Sequence, residues 1–163
     1  IVTWVIFNEG WGQFDSDKCA EAVLELDSSR ILDRTSGWHD QGSGELRSIH
    51  LYFDDYKHKP DKLGRCVVLS EFGGYTLPID GHAWPGKPFG YKKFDSQEKF
   101  RRALTLLYDG QIRPACMSGL AAAIYTQLTD VENELNGLIT YDRRVIKLSP
   151  ADIKRITAMP AVK

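Results

Sequence analysis

Residues 1–13 read IVTWVIFNEGWGQ, a run of seven mostly apolar residues that leads into Asn8, Glu9 and a glycine-rich turn. A short apolar run that ends at a turn signal is typical of a strand buried on both faces, as in a parallel sheet. Residues 65–72 repeat the pattern, because this run ends at Glu71 and Phe72 and two glycines follow. Two buried strands that each end in a carboxylate indicate a functional edge of a sheet.

Strand-like and helix-like segments alternate along the chain. Apolar residues at helical spacing predict helices over residues 15–28 and 95–110, and Ser149-Pro150 marks the start of a last helix. Extended runs predict further strands at residues 31–35, 48–53 and 120–128. Residues 73–94 contain too many Gly, Pro and aromatic residues for a regular element, and we expect this long loop to form a wall of a functional site.

Two parallel α/β folds fit this order of elements. A doubly wound sheet that binds a nucleotide needs a GxGxxG or GxxxxGK[ST] turn, and EGWGQF has neither. A (β/α)8 TIM barrel places its functional residues at the ends of several strands, as Glu9, Tyr52, Glu71 and Gln127 are placed here. Because a complete barrel needs about 200 to 250 residues, we expect residues 1–163 to be the second half of one, about strands four to eight.

Composition excludes several classes of partner. The chain has 163 residues, of which 42% are hydrophobic, and its 21 basic and 22 acidic residues are mixed along the sequence. This charge pattern is not that of a protein that binds nucleic acid or an anionic membrane, and no apolar run is long enough to span a bilayer. The three cysteines and four histidines show no metal-ligand spacing. We expect no metal, no cofactor, no nucleic acid and no membrane partner.

Several stretches together resemble glycoside hydrolase family 2, the family of β-galactosidases, β-glucuronidases and β-mannosidases. They are TWVIFNEGWGQ, ILDRTSGW, HLY, VVLSEFGGY and GLAAAIYTQLTDVENELNGLITYDRR, and together they span almost the whole chain. The resemblance implies the second half of that family's catalytic barrel, with Glu9 as the general acid/base and Glu71 as the nucleophile. β-Sandwich domains and barrel strands one to three precede this part in the family, so we expect the isolated piece to have little or no activity.

The residues themselves suit this chemistry. A retaining glycosidase needs two carboxyl groups about 5 to 5.5 Å apart, one protonated to assist the leaving group and one ionised to attack the sugar. Glu9 and Glu71 are the candidates, and Tyr52 is the nearest predicted hydrogen-bond donor to Glu71. The resemblance gives Asn8 the sugar 2-hydroxyl.

Other side chains are predicted to contact the substrate. Trp11 and Trp38 lie in glycine-rich loops, where an indole can stack on the C–H face of a sugar, and Gln127 follows the last predicted strand. His50 fits a substrate contact and a buried, hydrogen-bonded histidine equally well.

The acidic run Asp130, Glu132 and Glu134 predicts a solvated loop, in which Glu132 bridges to Arg143 or Arg144.

The glucuronidases of this family carry an Asn-x-Lys motif after the eighth strand, whereas this chain reads Asn136-Gly137-Leu138. We therefore expect a retaining exo-β-glycosidase for a neutral sugar, with a β-galactoside only slightly favoured over a β-mannoside. The alternatives are a β-mannosidase or β-glucuronidase of the same family and a non-catalytic carbohydrate-binding or scaffold domain.

A half barrel would expose two strand edges, which favours pairing with a second copy as a homodimer. The chain does not begin with Met, and its sequence indicates no compartment; the resemblance slightly favours a periplasmic or secreted protein.

Overall fold

A computed structural model describes residues 1–158 of the chain. The strands and helices, in chain order, are β1 (Thr3–Val5), α1 (Ser16–Leu26), β2 (Ile31–Asp33), β3 (Leu46–Leu51), β4 (Cys66–Gly73), β5 (Tyr75–Thr76), β6 (Lys92–Lys93), α2 (Gln97–Leu107), α3 (Arg113–Met117), β7 (Ala122–Thr126) and α4 (Pro150–Thr157). A π-helical turn, Tyr108–Ile112, joins α2 to α3. The main helices and strands lie close to their predicted positions.

All ladders in the described part of the chain are parallel. β1 pairs with β2, β4 lies between β3 and β7, and β5 pairs with β6. β4 is the central strand of the largest sheet, and its residues Val67, Val68, Leu69 and Phe72 are buried. The β3–β4 register places His50 directly opposite Glu71.

The prediction of half a TIM barrel is wrong. The protein is a small α/β domain whose strands form separate sheets of two, three and two strands, with no closed barrel within residues 1–158. A barrel requires one ladder that continues from strand to strand around the axis, whereas β2 and β3 lie side by side without sharing a ladder. Carboxylates at strand ends suggested a barrel, but the carboxyl ends of strands form the functional edge of open parallel sheets as well.

The first strand also differs from its prediction, because it is not buried on both faces. Trp4 and Val5 are 37% and 55% exposed, and the Trp4 indole N–H donates to the Asp27 carboxylate after α1. β1 is an outer strand with β2 as its ladder partner. β7 is an outer strand of the three-stranded sheet, and it exposes Ile124. A homodimer through these exposed edges stays a prediction.

The core lies between β4 and the helices that follow it. Phe72 and Leu69 from the strand pack with Phe100 and Leu104 of α2, all of them buried. The capping pattern predicted Asp95 as the N-cap of α2, but Ser96 is the N-cap, since its hydroxyl accepts a hydrogen bond from the Lys99 backbone N–H. This packing fixes β4, the strand that carries Glu71. None of the helices in residues 1–158 is both long and apolar enough to cross a bilayer.

Arg65 connects two polar loops below the sheets. Its guanidinium group, 6% exposed, donates to Asp40 at 2.7 and 2.8 Å and to Asp61 at 3.0 and 3.1 Å. These contacts use the fork geometry that arginine presents to carboxylates. Hydrogen bonds from Arg65 lower the pKa of Asp61 to about 2.

We expect Asp61→Asn to lower the free energy of unfolding by an amount that depends on pH. A lowered carboxyl pKa contributes stability that is complete above the unfolded-state value, about 4, and is lost as the pH falls through the folded-state value. The difference between the two proteins should therefore be constant near neutral pH and shrink below about pH 4. Urea unfolding over this pH range measures it.

Asp54→Asn is the matched control, because Asp54 is an exposed carboxylate of the same loop. A wild-type advantage over Asp61→Asn that stayed constant into the acid range would contradict the role given to Arg65.

Candidate active site

Glu9 and Glu71 meet at the carboxyl ends of two strands that belong to different sheets. Glu9 follows β1, and Glu71 lies in β4. One oxygen from each carboxylate and Nδ1 of His50 all lie within 4.8 Å of one another. The fold thus brings together the two glutamates that the sequence singled out, at a spacing close to that of a retaining pair.

His50 lies between the two carboxylates. Its Nδ1 is 3.0 Å from Glu9 Oε1 and 3.2 Å from Glu71 Oε2, and its side chain is fully buried. Its Nε2 is 2.8 Å from the Ser36 hydroxyl. The imidazole therefore bridges the two carboxylates and presents no exposed surface to a sugar. Of the two roles that the sequence allowed, His50 has that of a buried, hydrogen-bonded histidine.

Three serine hydroxyls extend this network below His50. Ser36 Oγ lies 3.3 Å from Ser48 Oγ and from Ser70 Oγ, and the latter two are 2.6 Å apart. Asp33 is buried beside them, and burial raises its pKa. Sequence reasoning missed these residues; a serine inside the apolar run CVVLSEF was the signal that could have identified Ser70.

The Tyr52 hydroxyl donates to Glu71 Oε2 and lies 3.2 Å from Thr126 Oγ1. Its ring stacks on Tyr91, with the centroids 3.9 Å apart and the planes at 3°. Burial first, and then the hydrogen bond to Glu71, raise the pKa of Tyr52. The phenol therefore keeps its proton near neutral pH and remains a donor to the Glu71 carboxylate, as the sequence predicted.

A strained backbone turn holds Glu9 in place. Its φ of +58° lies in the left-handed region, which is costly for a residue other than glycine and is often found at functional sites. The Glu9 backbone N–H donates to the Ser36 carbonyl at 2.7 Å, and Gly10 packs against the His39 ring. Asn8, the residue before Glu9, is exposed.

Gln127 follows β7, and its side-chain amide is hydrogen-bonded to the loop that comes next. Nε2 donates to Asn136 Oδ1 at 2.7 Å and lies 3.4 Å from Glu134 Oε2. Asn136 is fully buried and Gln127 is half-buried. These hydrogen bonds occupy part of the Gln127 amide, and its role in substrate binding stays a prediction.

The acidic run in that loop is not entirely solvated, contrary to its prediction. Asp130 is 4% exposed and accepts from Lys147 Nζ at 2.7 Å and from the Gly137 N–H at 2.8 Å. Burial raises the pKa of Asp130 and lowers that of Lys147. This buried ion pair holds the loop, in place of the predicted bridge from Glu132, which is exposed.

The cluster Glu9, His50 and Glu71 could also bind a divalent cation. Carboxylate oxygens and imidazole nitrogens are both zinc ligands, and a hydrogen bond on the second imidazole nitrogen is common at such sites. Here Ser36 provides that hydrogen bond. No sequence pattern predicted a metal site here, because the cluster depends on proximity in space rather than on spacing along the chain.

Two exposed indoles lie beside Glu9. Trp11 and Trp38 are 72% and 48% exposed, and their rings meet edge to face with centroids 5.6 Å apart. Trp11 is two residues after Glu9, and Trp38 is two residues after Ser36, whose carbonyl accepts from the Glu9 N–H. Their contacts with a sugar stay a prediction.

No protein-family model matches this chain, and no curated protein matches it in sequence. The glycoside hydrolase resemblance therefore rests on the sequence motifs alone.

We expect Gly37→Ala to destabilise the protein and displace His50. Gly37 has a φ of +104°, and an added Cβ would lie 2.9 Å from His50 Nδ1. Overpacking of this kind costs about 1 to 3 kcal/mol beyond the cost of the backbone conformation. Urea unfolding and the NMR signals of the His50 ring measure the two effects.

Gly12→Ala is the control, because Gly12 also has a positive φ, +76°, but an added Cβ there would meet nothing within 4 Å. Equal destabilisation by the two substitutions, with the His50 signals unmoved, would show that Gly37 does not support the imidazole.

Proposed function

We propose that this protein is a retaining exo-β-glycosidase that hydrolyses β-glycosidic bonds by double displacement, with β-galactosides as its preferred substrates. The observation that carries the proposal is the approach of Glu9 and Glu71, whose carboxylate oxygens lie within 4.8 Å of each other. Retaining enzymes use a closely spaced pair, whereas inverting enzymes separate their carboxyl groups by about 6.5 to 9.5 Å to admit a water molecule.

The reaction has two steps. In the first, a Glu71 oxygen attacks the anomeric carbon while Glu9 gives its proton to the glycosidic oxygen, so the alcohol leaves and a glycosyl ester forms on Glu71. In the second, Glu9 takes a proton from water as the water oxygen attacks the same carbon, which releases the sugar and regenerates both carboxyl groups.

Tyr52 and His50 hold the nucleophile in position. The Tyr52 hydroxyl donates to Glu71 Oε2, which keeps this carboxylate oriented for attack. His50 contacts both glutamates through Nδ1 and maintains the distance between them. Because His50 is fully buried, it acts as a positioning residue and makes no contact with the sugar. Asn8 is the exposed amide nearest to Glu9 and is assigned the 2-hydroxyl.

A neutral sugar fits the charges around the site. Glu9, Glu71 and Glu134 make this end of the sheets acidic, which disfavours the carboxylate of a glucuronide. Asn136 is buried, hydrogen-bonded to Gln127 and followed by glycine and leucine rather than by a lysine at the second position. A β-mannoside remains the nearest alternative substrate.

A second candidate function is supported by the same cluster. Glu9, His50 and Glu71 could bind a divalent cation, with both carboxylates as ligands and Nδ1 without its hydrogen. A cation there would occupy the groups needed for double displacement. The third hypothesis is a carbohydrate-binding or scaffold domain without catalysis, in which the sugar binds but Glu71 does not react.

Covalent trapping tests the proposal directly. We expect a 2-fluoro-β-galactoside with an activated leaving group to form one adduct, located on Glu71 by peptide mass spectrometry, because the electron-withdrawing fluorine slows hydrolysis of the ester intermediate. Glu71→Gln should abolish the adduct, and the matched control Glu134→Gln should retain it. The corresponding mannoside and glucuronide reagents should react more slowly.

The three hypotheses predict different results in this experiment. Modification that is insensitive to EDTA and to added zinc supports the glycosidase. Modification that appears only after chelation, or that added zinc blocks, would favour the cation site. Binding of a galactoside without any adduct would favour a non-catalytic sugar-binding domain.

We further expect Tyr52→Phe to slow the formation of this adduct by about 100-fold, because removal of a donor to a reacting group has an effect of this size. The fold should change little, since phenylalanine can keep the stack on Tyr91. Tyr75→Phe is the control, because Tyr75 lies on β5 and packs against Phe94. Adduct formation at the wild-type rate in Tyr52→Phe would contradict the role given to this hydroxyl.

A further inference from the structure

The two exposed indoles beside Glu9 are large apolar groups that the folded chain does not cover. Trp11 is 72% exposed and Trp38 is 48% exposed, yet the rings contact each other in edge-to-face geometry. Contiguous exposed aromatic surface next to a polar site is a common mark of ligand binding. We call these two residues the Trp11–Trp38 platform.

The loops that carry the platform are connected to each other. Gln13 Nε2 donates to the His39 carbonyl at 3.1 Å, and Gln41 Nε2 donates to Gln13 Oε1 at 2.7 Å. Gly10 packs against the ring of His39, the residue after Trp38. These contacts order both loops before any ligand arrives, which lowers the entropic cost of binding to the indoles.

The platform lies on the side of Glu9 rather than of Glu71. Trp11 is two residues after Glu9, and the Glu9 N–H donates to Ser36, two residues before Trp38. Glu71 belongs to β4, and β3 with His50 lies between it and the loops after β1 and β2.

This placement determines which part of a substrate can reach the indoles. The general acid must contact the oxygen that leaves, so the leaving group has to lie beside Glu9. The sugar that becomes attached to the enzyme lies toward Glu71. A flat ring bonded to the glycosidic oxygen would therefore face Trp11 and Trp38.

We propose that the Trp11–Trp38 platform binds the leaving group of the substrate and selects glycosides whose leaving group is a ring, either a second pyranose or an aryl group. This inference rests on the proposed function, since it takes Glu9 as the general acid. The platform is a specificity element for the leaving group, separate from the contacts that recognise the galactosyl unit.

The test compares ligands that differ only in the leaving group. Glu71→Gln protein, which cannot form the ester, is titrated with methyl β-galactoside, phenyl β-galactoside and β-galactosyl-1,4-glucose while the indole N–H signals are followed by NMR. We expect the phenyl glycoside or the disaccharide to bind about tenfold more tightly than the methyl glycoside, equivalent to about 1.4 kcal/mol. The Trp11 and Trp38 signals should shift with the ring-bearing ligands only.

Variants made in the same background locate the effect. Trp11→Ala and Trp38→Ala should each bring the affinity ratio close to one while leaving methyl β-galactoside binding intact. Trp84→Ala is the matched control, because Trp84 is 44% exposed and also packs edge to face on an aromatic ring, that of Tyr141. It should preserve the ratio. The phenyl and disaccharide arms distinguish an aryl from a sugar leaving group.

Several results would overturn the inference. An unchanged ratio in both tryptophan variants, or equal loss of all three ligands, would show that the platform does not select the leaving group. Absence of binding by every ligand would also count against it. Covalent trapping on Glu71 reports on the proposed function separately, so trapping without leaving-group selection rejects the platform alone, and failure to trap rejects the glycosidase.

Discussion

The contacts of His50 with Glu9 and Glu71 are the interaction on which the candidate site depends. Two ionised carboxylates at this distance repel each other, and the repulsion is stronger where burial excludes water. An imidazole nitrogen 3.0 and 3.2 Å from them offers one donor to both. Ser36 holds the other ring nitrogen, and the register of β3 with β4 places the histidine opposite Glu71. The sheet therefore fixes the geometry of the candidate site together with the loops.

Ionic contacts stabilise the long loops that connect the strands. Arg65 joins two loops through Asp40 and Asp61, and the buried pair Asp130–Lys147 holds the segment after β7. Both arrangements satisfy their charges with several hydrogen bonds, which buried ionic groups require. Removal of one partner from such a pair would leave the other charge buried and uncompensated.

The proposed chemistry follows from the difference in environment between the two glutamates. Glu71 receives a hydrogen bond from the half-buried Tyr52, which orients the carboxylate. Glu9 sits on a left-handed backbone turn, and its side chain is 15% exposed, against 31% for Glu71. Both carboxylates contact His50, and only Glu71 also accepts from Tyr52, so the proposal assigns the attack to Glu71 and the proton transfer to Glu9. The fold positions this pair without a closed barrel, because the carboxyl ends of two adjacent parallel sheets meet at one edge.

The amino-acid sequence by itself determined the local features: the positions of the main helices, the cap at Ser149, the apolar strands, and the glutamates at their ends. These depend on spacing and propensity over a few residues. It did not determine how many strands share a ladder, and for that reason the barrel prediction and the burial of β1 were wrong. Only the tertiary structure placed His50 between the carboxylates and buried Asp130 against Lys147. Burial and pairing of this kind depend on contacts between residues that are distant along the chain, and no local sequence pattern predicts such contacts.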